Sequence, residues 1–300
     1  MTVGALALGS ASCTLSLDTK TVQCAVDAEC ASFGEEYANY KCIASFCHAD
    51  CTEKADCESE SPRHECQAGV CVDPTWGCIG QPVNTEGGGD VTFRVPIRNL
   101  LTMETPTNLS VSVCLRPDPD CMSPISTDFN VMEDGLVDVS IPNVPDGGFD
   151  GFLFLTADAL LPSYYHFINP ISESNEDEPA PELLMFAPAT VDILSATAGV
   201  EVDPNLGVII FRTHDCTGAP AAGISAAPTP EGNSIFFSVD STNLPDPNVS
   251  VTDAAGIGGL ANLPVGISRI QLTLEETGEA LDDFSLPVKG NSVTMTNFQP

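Results

Sequence analysis

Basic residues are scarce in this chain of 300 residues: ten lysines and arginines stand against 42 aspartates and glutamates, for a formal net charge of −32. So acidic a surface repels nucleic acid and anionic lipid headgroups, and neither is an expected partner. It serves solubility, and it tolerates or attracts cations. Long apolar runs are also missing. No stretch of ~18 apolar residues occurs, so the sequence offers no membrane-spanning helix. Aromatic residues make up 6% of the chain, with a single tryptophan. That leaves little for the stacking platforms of a carbohydrate-binding face. Tyr164 and Tyr165 form the one cluster that reads as such a platform, and Trp76, two residues before Cys78, reads as a domain-junction residue.

Catalytic signatures are absent as well. The chain contains no H-E-x-x-H, no G-x-S-x-G, no G-x-x-x-x-G-K-[ST] and no G-x-G-x-x-G that opens a helix. Of the four histidines, His48 and His64 fall in cysteine-rich loops. His166, within Tyr164-Tyr165-His166-Phe167, reads as a strand residue that faces out or caps the core. His214 precedes the Asp215-Cys216 turn. None sits in an acid–base constellation, and the chain is expected not to be an enzyme. Carboxylates are too numerous for counting to decide anything. Glycoside hydrolysis, however, needs two carboxyls held ~5–10 Å apart in a cleft, and nothing in the pattern builds one. Asp146-Gly147-Gly148-Phe149-Asp150-Gly151 and Asp118-Pro119-Asp120 place acids beside turn residues. This is the best Ca²⁺ candidate, but neither stretch has the EF-hand spacing, and turn-forming aspartate beside glycine is the simpler reading. No other cofactor is expected.

What the chain does have is cysteine, 13 in all. Cys24, Cys30, Cys42 and Cys47 are spaced C-x5-C-x11-C-x4-C, and Cys51, Cys57, Cys66 and Cys71 are spaced C-x5-C-x8-C-x4-C. Only the middle gap changes. Each repeat also places Ala and an acid just before its second cysteine: Ala28-Glu29-Cys30 and Ala55-Asp56-Cys57. Segments this short cannot bury enough apolar surface to fold unaided, and two bridges in each supply the missing stability. An even, repeated count reads as a disulfide framework in an oxidising compartment. Zinc is the rival, but the gap of five is wrong for a knuckle, and His48 and His64 sit at unmatched places in the two repeats. Four cysteines allow three pairings. First to third and second to fourth keeps the pairing local and gives both repeats one rule: Cys24–Cys42, Cys30–Cys47, Cys51–Cys66 and Cys57–Cys71. Cys114 and Cys121 flank Pro117 and Pro119 and can close a turn. Cys78 and Cys216 are then left either to bridge the β segments or to stay free.

The remaining sequence divides by composition. Residues 1–23 carry an apolar, small-residue run, Val3–Ala11, that reads as the tail of a secretory signal. Ser10-Ala11-Ser12-Cys13 resembles a lipobox, in which Cys13 would be lipidated. Ser10 stands where an aliphatic residue is usual, and no basic segment precedes the run. Residues 24–78 form the cysteine-rich module, with repeats at 24–47 and 51–71. From Val91 short β-branched runs are cut by Pro, Gly, Asn and Asp, which indicates antiparallel sandwiches. Expected strands are 91–98, 109–116, 136–141, 152–156 and 164–168, then 207–212, 222–226, 234–239, 249–252, 268–273, 282–287 and 292–297. One short helix is expected at Val191–Ala198, with Thr190 as N-cap and Gly199 just past its end. Two sandwiches, 79–190 and 191–300, follow from this division. Ser126-Thr127-Asp128 and Val251-Thr252-Asp253 read as equivalent turns in a weak internal repeat.

The stretch 208–300 carries Asp215-Cys216-Thr217-Gly218-Ala219-Pro220-Ala221-Ala222-Gly223-Ile224, then Thr252-Asp253-Ala254-Ala255-Gly256 and Leu263-Pro264-Val265-Gly266. On these residues it resembles the carboxypeptidase regulatory-like, or transthyretin-like, β-sandwich. Residues 91–187 resemble a diverged second copy. The order of an apolar start ending at Cys, cysteine-rich repeats and tandem sandwiches is similar to bacterial surface lipoproteins. The resemblance implies fold and location, not chemistry.

The expectation is therefore a mainly β protein: a small disulfide-rich module, two tandem antiparallel transthyretin-like sandwiches and one short connecting helix. It is exported to the outer membrane, cell surface or medium, monomeric, and in contact with membrane only through a lipid anchor. Its expected role is structural or adhesive, toward a protein or glycan partner. The alternatives are a Ca²⁺-dependent binding module, an accessory domain of a secreted hydrolase, and a cysteine-rich protease inhibitor. Metabolic labelling with a palmitate analogue is expected to mark the wild-type chain and not Cys13→Ser; an unlabelled wild type would rule out the anchor.

Overall fold

The computed structural model describes residues 24–34, 37–43, 46–57, 65–67, 69–79, 85, 87–177, 179–239 and 244–300. Cys13 and His64 lie outside them. The chain divides into two compact units, Met1–Gly77 and Cys78–Pro300.

In the first unit each cysteine repeat folds as one helical turn followed by a hairpin. The first repeat has α1 (Asp27–Cys30), β1 (Tyr40–Ile43) and β2 (Phe46–Ala49). The second has α2 (Lys54–Cys57), β3 (Glu65–Gln67) and β4 (Val70–Val72). Disulfides join Cys24 to Cys42, Cys30 to Cys47, Cys51 to Cys66 and Cys57 to Cys71. The constant gaps now have a physical meaning. C-x5-C covers the approach and the single helical turn. C-x4-C sets the third and fourth cysteines opposite each other across the hairpin, Cys42 beside Cys47 and Cys66 beside Cys71. The middle gap lies between the helical turn and the hairpin, and its length differs between the repeats, x11 against x8. The repeated acid ties the helical turn to its start. Glu29 Oε2 accepts from the Ala25 N–H at 2.6 Å, and Asp56 Oδ2 accepts from the Thr52 N–H at 2.8 Å and from the Glu53 N–H at 3.1 Å. Those N–H bonds, with that of the Thr52 hydroxyl, hold the Asp56 carboxyl below its ordinary range. Cys30 and Cys57 are fully buried, as a core made of sulfur requires.

The second unit contains β5 (Gly89–Asn99), β6 (Ser110–Leu115), β7 (Phe129–Val131), β8 (Leu136–Val144), β9 (Gly151–Thr156), β10 (Ser163–Phe167) and β11 (Leu183–Met185). After α3 (Pro188–Ala198) come β12 (Gly207–Thr213), β13 (Ile224–Thr229), β14 (Ile235–Val239), β15 (Pro245–Asp246), β16 (Ile257–Leu263), β17 (Gly266–Leu274), β18 (Glu279–Val288) and β19 (Val293–Phe298). An eight-stranded sheet runs β15-β14-β16-β12-β19-β10-β9-β6. A four-stranded sheet, β11-β5-β8-β7, and a three-stranded sheet, β13-β17-β18, complete the sandwich layers.

The segments 79–190 and 191–300 thus meet edge to edge inside one sheet. β19 lies between β10 and β12 and is parallel to both, with Tyr165 and Ile210 each beside Met295. Most other pairings are antiparallel; β11 runs parallel to β5. One core lies between β5 and the first-half part of the large sheet, where Val91, Phe93, Val95 and Ile97 alternate inward. β18 lies against β12 and β19. Ile209 and Phe211 of β12 are fully buried, and they alternate with the less buried Val208, Ile210 and Arg212. Period-two side-chain direction therefore gives β12 two different faces.

Several expectations need correction. The helix begins three residues early: Ala187 is the N-cap without a side-chain bond, and Pro188 occupies the first turn, where its missing N–H costs nothing. Thr190 sits inside the helix, its hydroxyl buried and unbonded. Gly199 does end the helix, at φ 69°. Residues 249–252 are loop, because the Asp246 carboxylate accepts the Asn248 N–H and turns the chain. No strand is expected from the sequence across 257–263, where Gly258 and Gly259 interrupt the apolar run. In the fold Gly258 lies against the Phe211 ring and Gly259 against the Phe237 ring, where a Cβ would collide. Thr127 and Thr252 are not equivalent. Thr252 is buried, donating to the Ala221 carbonyl and accepting from the Ile224 N–H, whereas Thr127 is exposed.

Cys78 is joined to Cys216 and Cys114 to Cys121. Loop-closure entropy predicts about 5 kcal/mol from the first, which spans 138 residues, and about 2 kcal/mol from the second, which spans 7. Denaturant titrations of Cys78→Ala/Cys216→Ala and of Cys114→Ala/Cys121→Ala are expected to give losses in that order. Equal losses would show that chain entropy does not set the ranking.

Candidate functional site

A cleft of about 240 Å³ opens between α3 and the eight-stranded sheet. Its floor is the less buried face of β12, Val208, Ile210 and Arg212, together with Val293, Met295 and Asn297 of β19 and Tyr165 of β10. Val191, Leu194 and Ser195 of α3 lie over it. Helical spacing puts Val191, Leu194 and Ser195 on one side of the helix, leaving Ile193 62% exposed on another. The walls are mainly aliphatic, but Glu182, Asp192 and Asp203 also line the cleft. The Asn297 side-chain N–H donates to the Tyr165 hydroxyl at 3.0 Å. Burial raises the Tyr165 phenol above its ordinary range, so it stays protonated.

Arg212 is the exceptional residue. Lys41 pairs with Asp50, Lys54 with Glu65, Arg94 with Asp138, Arg98 with Glu182, Arg116 with Asp150, Arg269 with Asp283 and Lys289 with Asp120. Among the described residues Arg212 alone of the lysines and arginines has no ion pair and no side-chain hydrogen bond. Burial lowers the affinity of its guanidinium for the proton, and Glu182 and Tyr165 oppose that shift electrostatically. Glu182 itself reaches Arg98 at 3.6 Å.

The sequence-derived candidates fall elsewhere. Tyr164 and Tyr165 are buried, so they form no stacking platform. They belong to β10, whose five residues are all buried and which lies inside the sheet between β19 and β9. His166 is also fully buried, not outward-facing, with its ring stacked on Phe152 at 4.7 Å and both ring nitrogens unbonded. Burial first, then the charges of Arg116 and Lys289, push its pKa down to about 3. His214 is also shifted down, chiefly by burial. The side chain of His48 lies outside the described residues. Three of the four aspartates of the Ca²⁺ candidates meet donors: Asp118 accepts from the Met122 and Ser123 N–H groups, Asp120 meets Lys289 at 2.7 Å, and Asp150 meets Arg116 at 2.6 Å. Two groups of cysteine sulfurs, Cys24–Cys30–Cys47 and Cys51–Cys57–Cys71, lie close enough together to resemble metal sites. Each is the meeting point of two packed disulfides. The sequence did hold a signal for Arg212: an arginine that keeps step with Val208 and Ile210 in an apolar strand.

No family model matches the sequence, and no curated protein matches it. Among solved structures, the Bacillus anthracis TIE protein is similar over 71% of this chain at 12% identity and a TM-score of 0.21; this chain spans 34% of its length. A Streptococcal ancillary pilin is similar over 70% of this chain and 68% of its own at 12% identity and a TM-score of 0.20. The shaft pilin SpaA from Lactobacillus rhamnosus GG is similar over 71% of this chain and 98% of its own at 9% identity and a TM-score of 0.20. Likeness at this level carries no functional implication.

His166 is expected to make the second unit acid-sensitive. Its folded pKa lies below the unfolded 6.5. Its contribution is therefore complete above pH 6.5 and is lost as pH falls toward 3, at about 1.4 kcal/mol per pH unit. Denaturant midpoints are expected to fall from pH 7 to pH 4.5 in the wild type. His166→Phe, which continues the stack on Phe152, is expected to flatten that slope and to be the more stable chain at pH 4.5. An unchanged slope would remove His166 as the cause.

Proposed function

We propose that this chain is an exported, non-catalytic surface protein that presents a rigid cysteine-rich unit to a protein or glycan partner. The observation that carries the reading is the six disulfides, two in each repeat and two in the β unit. Such bonds persist outside the reducing cytosol, and they hold short loops in fixed shapes at little cost in ordering on binding. They use twelve of the thirteen cysteines, which leaves Cys13 as the candidate for lipid attachment and supports an anchored form. No helix among the described residues is long and apolar enough to cross a membrane. The groups that could have carried acid–base chemistry have structural work: His166 is buried in an aromatic stack, and the best-placed aspartates face cations or backbone N–H groups. A transthyretin-like fold of 208–300, as the motifs suggest, would suit this scaffold role. Thr213 of β12 and Thr252 of the second motif both donate to the Ala221 carbonyl of the first motif.

The test is a comparison of the oxidised and the reduced chain on arrays of glycans and extracellular proteins, with ester, peptide and glycoside substrates assayed in parallel. Binding that vanishes on reduction is expected, with no turnover. Turnover of any substrate class would overturn the reading. Ca²⁺ at saturating concentration is expected to move the melting temperature by less than about one degree. A larger shift with Ca²⁺ but not with Mg²⁺ would favour a Ca²⁺-dependent module.

A further inference from the structure

We propose that the cleft under α3 binds a small amphipathic monocarboxylate, with its carboxylate on Arg212 and its hydrocarbon chain along Ile210, Met295 and Leu194. The site goes beyond the display role and does not depend on it.

Three observations converge. The first is the unspent guanidinium. The half-buried Arg212 guanidinium offers five N–H donors in a planar fork, and none of them has an acceptor among the described residues. The other described lysines and arginines are ion-paired, whereas Arg212 makes no ion pair and lines a mainly aliphatic cleft that also includes Glu182, Asp192 and Asp203. A carboxylate fits the fork with two parallel hydrogen bonds.

The second is charge selection. At a net charge of −32 the protein repels anions at long range, and Glu182 stands near the guanidinium. Each added negative charge on a ligand meets that field again. A singly charged headgroup is therefore favoured over a phosphate monoester or a nucleotide, and binding must draw on apolar burial.

The third is size. At ~30 Å³ for each water's share of liquid volume, about 240 Å³ corresponds to roughly eight waters. That space suits a ligand of about eight to ten non-hydrogen atoms, the size of octanoate. The Tyr165 hydroxyl, engaged by Asn297, adds a polar edge near the headgroup.

The experiment is titration calorimetry of the full, oxidised chain with sodium octanoate, and with butyrate, octyl phosphate and octyltrimethylammonium as comparison probes. One saturable site for octanoate is expected, with weaker binding of butyrate and octyl phosphate and none of octyltrimethylammonium. Arg212→Met, which keeps the aliphatic stem, is expected to weaken octanoate at least about tenfold while melting no lower than the wild type. Arg212→Lys is expected to fall between. Ser195→Trp, placed to fill the cleft, is expected to abolish binding without altering Arg212. Equal octanoate affinity in the wild type and Arg212→Met, equal binding of octyltrimethylammonium, or no saturable octanoate site below its micellar range would each overturn the proposal. Should Arg212→Met fail to fold, Ser195→Trp and the cationic probe still decide.

Discussion

The second unit depends on the pairing of β19 with two strands at once. Residues 293–298 run parallel to β10 on one side and β12 on the other, so the large sheet is continuous only through them. Val293 and Met295 on one face belong to the core built with β5, and Phe298 is buried as well. Thr296 fixes the register further by donating to the His166 carbonyl at 2.9 Å. Both the buried histidine and the cleft are consequences. β10 is covered on both edges because β19 occupies one of them, and the cleft floor is assembled from β12, β19 and β10 side by side.

Scarce cations act here as clips between distant segments. Arg94 grips Asp138 with two bonds and donates to the Glu176 carbonyl. Arg116 joins Asp150 to the carbonyls of Phe167 and Ser285. Lys289 meets Asp120 while lying over the Tyr164 ring at 4.6 Å. Exposed pairs of this kind add little individually. Their value is positional, since each one selects a single acid from a large excess. Against that pattern an arginine that makes no ion pair, beside a mainly aliphatic cleft, is conspicuous.

Much of this was legible in the sequence because the governing physics is local. The β-branched runs marked most strands, and Gly199 marked the end of α3, since a left-handed residue there needs no Cβ. The fixed gaps in the cysteine repeats reflect a helical turn and a hairpin, both short-range shapes. What was not legible depends on partners far along the chain. β16 is hidden by Gly258 and Gly259, whose missing side chains make room for Phe211 and Phe237. In sequence His166 reads as a strand residue that faces out or caps the core; in the fold its ring is buried against Phe152 and its carbonyl accepts from Thr296, 130 residues away. The cleft could not be read at all, because the step that puts Arg212 beside Asn297 and Tyr165 is a pairing of strands and not a spacing.

β19 also follows in sequence every strand that it joins, and this has a bearing on biogenesis. While the chain is being delivered residue by residue, 163–167 and 208–213 each present an open sheet edge until 293–298 arrive. Unpaired edges are templates for joining neighbouring molecules. The same strong negative charge that sets partner preferences would then act as a guard during that interval, holding unfinished chains apart until their own closing strand is in place.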